Sequence, residues 1–217
     1  MDLFAQLDHL DRLLLSDVNT VFPAPLTDKE KAATNAYVLL AHAVLEEHLE
    51  DAFEMHFTRL AGWLIAPMVP LETARLVFAM AYRIPEKRRV AYKKQSLAGM
   101  ASAGRESFKL EVRGNHGIKQ DNLAKLAGLV GLDWQQFDDA LNSQLADLHT
   151  LGSMRGEAGH LSPYTEKAVH ITRQIYPEDV REWVVAARDA SVAVCAYLDE
   201  LVAAQQPLSL IADWDGN

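Results

Sequence analysis

The 217-residue sequence predicts an all-α fold, in which a single helical bundle carries a basic, loop-rich insertion in its middle. Apolar residues recur at steps of three and four along most of the chain, which is the spacing of one helix face. No segment shows the apolar–polar alternation of a half-buried strand, and no internal repeat is present. Because no linker is long enough to separate two domains, we expect one domain over residues 1–217, with its core at about 28–205.

The first half of the chain is predicted to be helical between prolines. Thr27 and Glu30 have the spacing of a capping box and predict the start of a long helix that ends near Ile65. Pro67 and Pro70 follow, and proline cannot continue a helix. The helices predicted here cover, in order, residues 3–14, 28–65, 71–82 and about 86–101.

The middle of the chain differs from the rest in periodicity and in charge. Residues 102–122 have the weakest helical pattern and contain Gly104, Gly114 and Gly117, so we predict a loop. Residues 83–125 carry 11 basic and 4 acidic side chains, a net charge of +7, within a chain of net charge −9. This concentration is typical of a surface that binds a polyanion. The alternative is a solvated helix face next to a basic loop.

Three helices are predicted in the second half. Asp121 or Asn122 caps a short helix that stops at Gly131, and Asp133 caps the next one. Pro177 suits the first turn of a last helix, which runs to Ala204. The apolar stripe of the middle helix, over residues 137–154, consists of Phe137, Leu141, Leu145 and Leu148.

Composition excludes several classes of protein. With 49% hydrophobic and 24% charged residues the chain is neither disordered nor collagen-like. The lone Cys195 excludes a disulfide framework and a cysteine-rich metal site. No apolar run approaches the ~18 residues that span a bilayer. Because the N-terminus is acidic and amphipathic, unlike a signal peptide, we expect a cytoplasmic protein.

Common catalytic and metal-binding motifs are absent. There is no Gly-rich phosphate loop, no GxSxG elbow and no HExxH. His42, Glu46 and Glu50 share one helical stripe, with His56 nearby, but a di-metal site in a helical bundle needs Glu-x-x-His from a second helix. The sequence offers no such second motif, so we predict neither a metal nor a cofactor.

Arg155 and His160 have the Arg-x4-to-6-His spacing of a family of helical RNA-acting domains. Two other segments match that family in order: the helix AYVLLAHAVLEEHLEDAF at 36–53, and Asn115-His-Gly-Ile-Lys119 with the short helix that follows. On these three segments the chain resembles the RiboL-PSP-HEPN branch of the HEPN superfamily, over about residues 30–205. The resemblance implies a metal-independent endoribonuclease, whose composite site lies at the two-fold interface of a homodimer.

The residue types suit that chemistry. His160 can move a proton near neutral pH, and Arg155 offers a charged fork that matches phosphate oxygens. Glu157, three residues before His160, is placed to orient its ring. The resemblance further implies cleavage by the 2′-hydroxyl, and a role as a toxin or a phage-defence effector with an antitoxin or regulatory partner. We expect RNA to be guided by basic and polar side chains of the central loop: Arg113, Asn115, His116 and Lys119.

Other interpretations of the same residues remain open. The position after the arginine is commonly polar in these nucleases, whereas here it is Gly156, which fits a non-catalytic HEPN-like module that binds RNA, a nucleotide or a protein. A third interpretation is a structural helical bundle. Arg155 would then be a surface side chain and His160 would cap a helix C-terminus. Asn115 and His116 would only fix a loop conformation.

Overall fold

The computed structural model describes residues 2–22, 24–66, 69–83, 96–160 and 175–204, with residues 159 and 160 described in the backbone alone. Over this part of the chain every regular element is an α-helix, which confirms the predicted all-α class. Seven helices lie within these ranges: α1 Leu3–Leu15, α2 Asp28–Trp63, α3 Leu71–Tyr82, α4 Leu97–Val112, α5 Gln120–Leu129, α6 Trp134–His160 and α7 Pro177–Ala204.

The chain divides into two compact units. Unit 1 comprises residues 1–49, 116–124 and 135–194, and unit 2 comprises residues 50–115, 125–134 and 195–217. Helices α2, α5 and α7 each contribute residues to both units, and so does α6, through Trp134 alone in unit 2. The single-domain organisation stays a prediction. None of the helices in the described ranges has a stretch long and apolar enough to cross a bilayer.

The capping box predicted at the start of α2 is confirmed. The backbone N–H of Thr27 donates to Oε2 of Glu30 at 2.8 Å, and the backbone N–H of Glu30 donates to Oγ1 of Thr27 at 3.3 Å. Hydrogen bonds from the Thr20 and Thr27 hydroxyls lower the pKa of Glu30 to about 2. These bonds satisfy donors that an uncapped helix start leaves open.

The predicted positions of several other elements are also confirmed. Helix α3 covers residues 71–82 and α7 covers residues 177–204, as the proline positions indicate. A φ of +77° at Gly131, a conformation that glycine adopts without strain, follows the end of α5. The stripe predicted for α6 is buried, although Leu141 within it has non-helical angles (φ −128°, ψ 21°) that kink the helix.

The prediction of a loop over residues 102–122, and with it the long loop-rich insertion, is wrong for most of that segment. Helix α4 continues to Val112, and its first turn is capped by Ser96, whose Oγ accepts the backbone N–H of Gly99 at 3.1 Å. Helix α5 begins at Gln120. Only residues 113–119 connect the two helices, so the loop is a short turn.

Small side chains on the buried face of α4 explain why its helical pattern is weak. Ala101, Ala103 and Gly104 are buried there, and they lack the bulk that marks an apolar stripe. A Cβ atom at Gly104 would lie 3.2 Å from both Cγ1 and the carbonyl oxygen of Val77 in α3. The close packing of α4 on α3 therefore favours glycine at position 104, since a Cβ atom there would force Val77 to move by a few tenths of an ångström.

Part of the predicted basic region lies outside the residues that the structure describes. The residues predicted to begin a helix near 86 lie outside the described residues, and so do four basic side chains grouped with them: Arg88, Arg89, Lys93 and Lys94.

Candidate functional site

Helix α2 presents a histidine and a glutamate one turn apart in unit 1. Nδ1 of His42 lies 3.6 Å from Oε2 of Glu46, as expected for side chains four residues apart on one helix face. The His42 side chain is 3% exposed, whereas that of Glu46 is 21% exposed. The imidazole is therefore buried beneath a carboxylate that reaches the surface.

The turn before α5 is attached to α2 through its glycine. Gly117 has a φ of +139°, which L side chains rarely adopt, and its backbone N–H donates a hydrogen bond to the Glu46 carboxylate. A Cβ atom at this position would lie 3.2 Å from Oδ1 of Asn122 and 3.9 Å from Nε2 of His42. Glycine thus allows the turn to pass close to both side chains while it donates to Glu46.

Helix α6 contacts the same turn through a second glycine. A Cβ atom at Gly152 would lie 2.8 Å from Cγ of Lys119 and 3.5 Å from its backbone nitrogen. Lys119 therefore packs on the bare backbone of α6 and is half-buried. Arg155 follows three residues later on α6 and is exposed. Its charge acts on both His42 and Glu46.

We name this set the Glu46 cluster: His42 and Glu46 of α2, His116, Gly117 and Lys119 of the turn, and Arg155 of α6. All six residues belong to unit 1. They come from three segments that are far apart in the sequence.

His42 is neutral at physiological pH. Burial lowers the pKa of its imidazole to about 4, and the positive charges of Arg155 and Lys119 act in the same direction. A neutral imidazole 3.6 Å from a carboxylate forms neither a salt bridge nor a hydrogen bond of normal length. The contact between His42 and Glu46 is therefore one of packing and weak polarity.

Glu46 is held between opposing influences. Burial raises the pKa of its carboxyl group, while Arg155, the Gly117 N–H and His116 each lower it. Burial is the largest of these influences, so the pKa of Glu46 is raised, and its neighbours on the turn and on α6 offset only part of that rise.

The predicted catalytic residues lie on α6. Arg155 and Glu157 are exposed, and His160 is the last residue of the helix, although its side chain is outside the described part of the structure. A Cβ atom at Gly156 would have no atom of the described residues within 4 Å. Packing within the described chain therefore does not require glycine after the arginine.

The four predicted RNA-binding residues occupy different environments. In unit 2, Arg113 is exposed at the end of α4, whereas Asn115 is 4% exposed and its Nδ2 donates to Oε1 of Glu50 at 3.3 Å. In unit 1, His116 is exposed and Lys119 is half-buried. The structure thus brings the charge of His116 near Glu46 and that of Lys119 near His42, and it gives Asn115 a structural contact.

Sequence reasoning assigned no individual role to His42 and Glu46 beyond possible metal ligation, although both lie in the helix at 36–53 on which the family resemblance depends. Their position four residues apart on α2 was visible, but their contact with the turn depends on the φ of Gly117, which the sequence does not encode in a simple pattern. Glu50 on the same stripe and the nearby His56 have different partners. Glu50 accepts from Asn115, and Nδ1 of His56 lies 3.1 Å from the carbonyl oxygen of Leu198.

Metal-binding geometry is not found in the described ranges, where no group of three or more histidine, cysteine, aspartate or glutamate side chains is arranged to hold an ion. The lone thiol of Cys195 is half-buried in unit 2, and burial raises its pKa to about 11. Comparisons of the chain with protein-family models, with curated proteins and with solved structures give no match.

Proposed function

We propose that this protein is a metal-independent endoribonuclease with a HEPN-like helical bundle. The observation that supports the proposal is the Glu46 cluster itself. The three segments on which the resemblance depends contribute His42 and Glu46, then His116 to Lys119, then Arg155 to one site in unit 1. A purely structural bundle has no need to gather an arginine and an exposed histidine near one partly exposed carboxylate, with a lysine near the buried histidine beside it.

The reaction uses the 2′-hydroxyl of RNA as the nucleophile. His160 accepts the hydroxyl proton as the 2′-oxygen bonds to the adjacent phosphorus, and the bond from phosphorus to the 5′-oxygen breaks. Arg155 stabilises the charge on the pentacoordinate phosphorus, and Glu157 orients the His160 ring. The 5′-oxygen takes up a proton as it leaves. The products are a 2′,3′-cyclic phosphate and a 5′-hydroxyl end.

The site is proposed to be shared by two copies of the chain. Positions five residues apart on a regular helix are about 140° apart around its axis, so Arg155 and His160 of one copy point in different directions. A two-fold axis that places two α6 helices side by side brings an arginine and a histidine from each copy into one cleft. The homodimer is therefore part of the proposal.

The substrate is proposed to follow the basic side chains of the turn. Arg113, His116 and Lys119 offer donors and positive charge to phosphates, and Asn115 holds the turn through Glu50. Binding of this kind releases cations that were condensed on the RNA. That release becomes less favourable as the salt concentration rises, so RNA binding weakens steeply when salt is added. In the cell such an enzyme would serve as a toxin or a phage-defence effector, and an antitoxin or regulatory protein would restrain it.

The test is RNA cleavage in the presence of EDTA. Wild-type protein is expected to cut RNA with no divalent metal and to leave 2′,3′-cyclic phosphate ends, whereas an oligonucleotide with a 2′-deoxyribose at the cleaved position stays intact. His160→Ala and Arg155→Ala are expected to abolish cleavage. His149→Ala, which removes an exposed histidine from the same helix, is the matched control and is expected to cut like wild type. Equal cleavage by His160→Ala and wild type would reject the proposal.

A second candidate, a non-catalytic RNA-binding module, is favoured by Gly156. Packing does not require glycine there, and the family resemblance leads us to expect a polar side chain. If the wild-type protein shifts the mobility of RNA at low salt but leaves it intact, the binding module is the better interpretation. If it neither shifts nor cuts RNA, both candidates are rejected.

A further inference from the structure

We propose that unit 2 carries a groove that binds one unpaired base of an RNA strand. The groove lies between the end of α2 and the end of α7 and has a volume of about 380 Å³. Its lining residues are Arg59 and Trp63 of α2 with Asp199, Val202 and Ala203 of α7. The choice of RNA as the source of the base rests on the proposed function, whereas the chemistry of the groove does not.

The first argument is the aromatic wall of the groove. Trp63 is the last residue of α2, and it is only partly buried. Its indole lines the groove together with the small apolar side chains of Val202 and Ala203. Unpaired bases stack on accessible aromatic rings in proteins that bind single strands, because every base has a flat π-face. The groove therefore offers a base an apolar surface and a stacking partner.

The second argument is that the polar part of the groove is a balanced charge pair. Nη1 of Arg59 donates to Oδ1 of Asp199, and Nη2 of Arg59 donates to Sδ of Met55 at 3.5 Å. Because the carboxylate balances the guanidinium, the lining residues have no net charge with which to attract a phosphate. A neutral planar ring suits them better: its N–H groups donate to the carboxylate, and its carbonyl or ring nitrogen accepts from the guanidinium.

The third argument is that a buried hydrogen bond holds the two helices together beside the groove. Nδ1 of His56 lies 3.1 Å from the carbonyl oxygen of Leu198, and both residues are buried. Since a carbonyl oxygen only accepts, Nδ1 carries the proton. His56 lies one turn before Arg59, and Leu198 directly precedes Asp199, so this bond fixes the turns that carry the charge pair. The groove is thus formed before a ligand arrives, which reduces the entropy lost on binding.

The size of the groove limits what it accepts. Its volume of about 380 Å³ is near the lower end of the ~300–1,000 Å³ range of small-molecule sites. The five lining residues are far fewer than the ~20–30 that each side contributes to a stable protein interface. One base of a single strand fits these limits, whereas a base in a duplex is already paired and stacked. We therefore expect the protein to prefer unpaired RNA, which names the substrate class of the proposed function.

The first arm of the test measures binding to the wild-type protein and is independent of cleavage. The chain contains four tryptophans, so 15N-labelled protein gives four indole N–H signals, and Trp63→Phe assigns the signal of Trp63. Millimolar AMP is expected to shift that signal, whereas ribose 5-phosphate, which lacks the base, is expected to leave it in place at the same concentration. No shift with AMP, or an equal shift with both compounds, would overturn the inference.

The second arm measures RNA binding in protein that carries His160→Ala, so that the strand is expected to stay intact. Trp63→Ala is expected to raise the Kd for a single-stranded oligonucleotide by about tenfold, the contribution of one stacked base, and to leave the Kd for an RNA duplex unchanged. Trp63→Phe keeps a smaller ring and is expected to lose less affinity.

The matched control for the second arm is Trp183→Ala. It removes another partly buried tryptophan, from the part of α7 that belongs to unit 1, and is expected to bind the single strand as tightly as its parent. Urea unfolding checks that each variant is folded. An equal loss of affinity for single strand and duplex in Trp63→Ala, or an equal loss in both tryptophan variants, would contradict recognition of a base by this groove.

These measurements distinguish failure of the inference from failure of the proposed function. If wild-type protein leaves RNA intact in EDTA but AMP shifts the Trp63 signal, the nuclease proposal fails and the base-binding groove stands as part of a non-catalytic module. If wild-type protein cuts RNA and AMP does not shift the Trp63 signal, the nuclease proposal stands and the groove is rejected as a base-binding site.

Discussion

Lys119 packs directly on the backbone of Gly152. A methyl group at position 152 would lie 2.8 Å from Cγ of Lys119, so alanine there must displace the lysine stem and the turn that carries it. We expect Gly152→Ala to lower kcat/KM for RNA by about tenfold or more, because displacements near 1 Å are enough for such losses. Steady-state kinetics with a fluorescent RNA would measure the effect.

The control for this prediction lies one turn further along α6. Gly156→Ala introduces the same methyl group where the described residues leave open space, so it is expected to stabilise the helix by about 1 kcal/mol in urea unfolding. Equal kcat/KM for Gly152→Ala and wild type would show that the position of Lys119 does not matter for activity.

Burial of His42 makes the stability of the protein depend on pH. The pKa of His42 is about 4 in the folded protein, below the ordinary value of about 6.5, so the unfolded chain takes up a proton first as the pH falls. The contribution of the neutral His42 side chain to the free energy of unfolding is fully present above pH ~6.5, and about 3 kcal/mol of it is lost by pH ~4. His56, whose pKa burial also lowers, acts in the same direction. Glu46, with a raised pKa, acts in the opposite direction.

Urea unfolding at a series of pH values would test this prediction. The wild-type free energy of unfolding is expected to decrease between pH 6.5 and 4, and His42→Asn should reduce that slope by up to about 1.4 kcal/mol per pH unit. The slope, and not the absolute stability of the variant, is the measured quantity. An unchanged slope in His42→Asn would mean that the imidazole is protonated in the folded protein as readily as in the unfolded chain.

The sequence predicts the fold well where large side chains or prolines mark an element. Leu145 and Leu148 lie on the buried face of α6 as predicted, and α7 starts at Pro177. The sequence prediction fails for α4, because half of the buried residues there are alanine or glycine, and hydrophobic periodicity detects poorly a face that packs through small side chains.

The candidate site was only partly predictable for a similar reason. Arg155, His116 and Lys119 could be proposed from residue type and spacing. The contact of Glu46 with the turn could not, since it arises from a backbone N–H and a positive φ at Gly117 that no side-chain pattern records.

Two neighbouring residues of the turn should behave differently when they are removed. Asn115 is buried and donates to Glu50, so Asn115→Ala is expected to lower the free energy of unfolding by about 1–3 kcal/mol. Arg113 is exposed, so Arg113→Ala should leave stability unchanged and reduce the dependence of log Kd on log salt by about one. Chemical denaturation and RNA binding over a range of salt would measure the two effects. A loss of stability in Arg113→Ala and none in Asn115→Ala would contradict this assignment.

Glycine at position 104 is predicted to stabilise the packing of α4 on α3. An added Cβ atom would lie 3.2 Å from the carbonyl oxygen of Val77, a backbone atom that cannot move aside alone. Overpacking of this kind costs about 1–3 kcal/mol, more than the helix gains from alanine, so we expect Gly104→Ala to lower the free energy of unfolding by about 1 kcal/mol.

Gly128→Ala is the matched control, because its Cβ would meet no atom of the described chain within 4 Å, and it should raise stability by up to about 1 kcal/mol. Urea unfolding of the two variants should therefore show changes of opposite sign in the free energy of unfolding. That difference separates the effect of packing from that of helix propensity. Stabilisation by both substitutions would mean that α3 can move away from α4 at little cost.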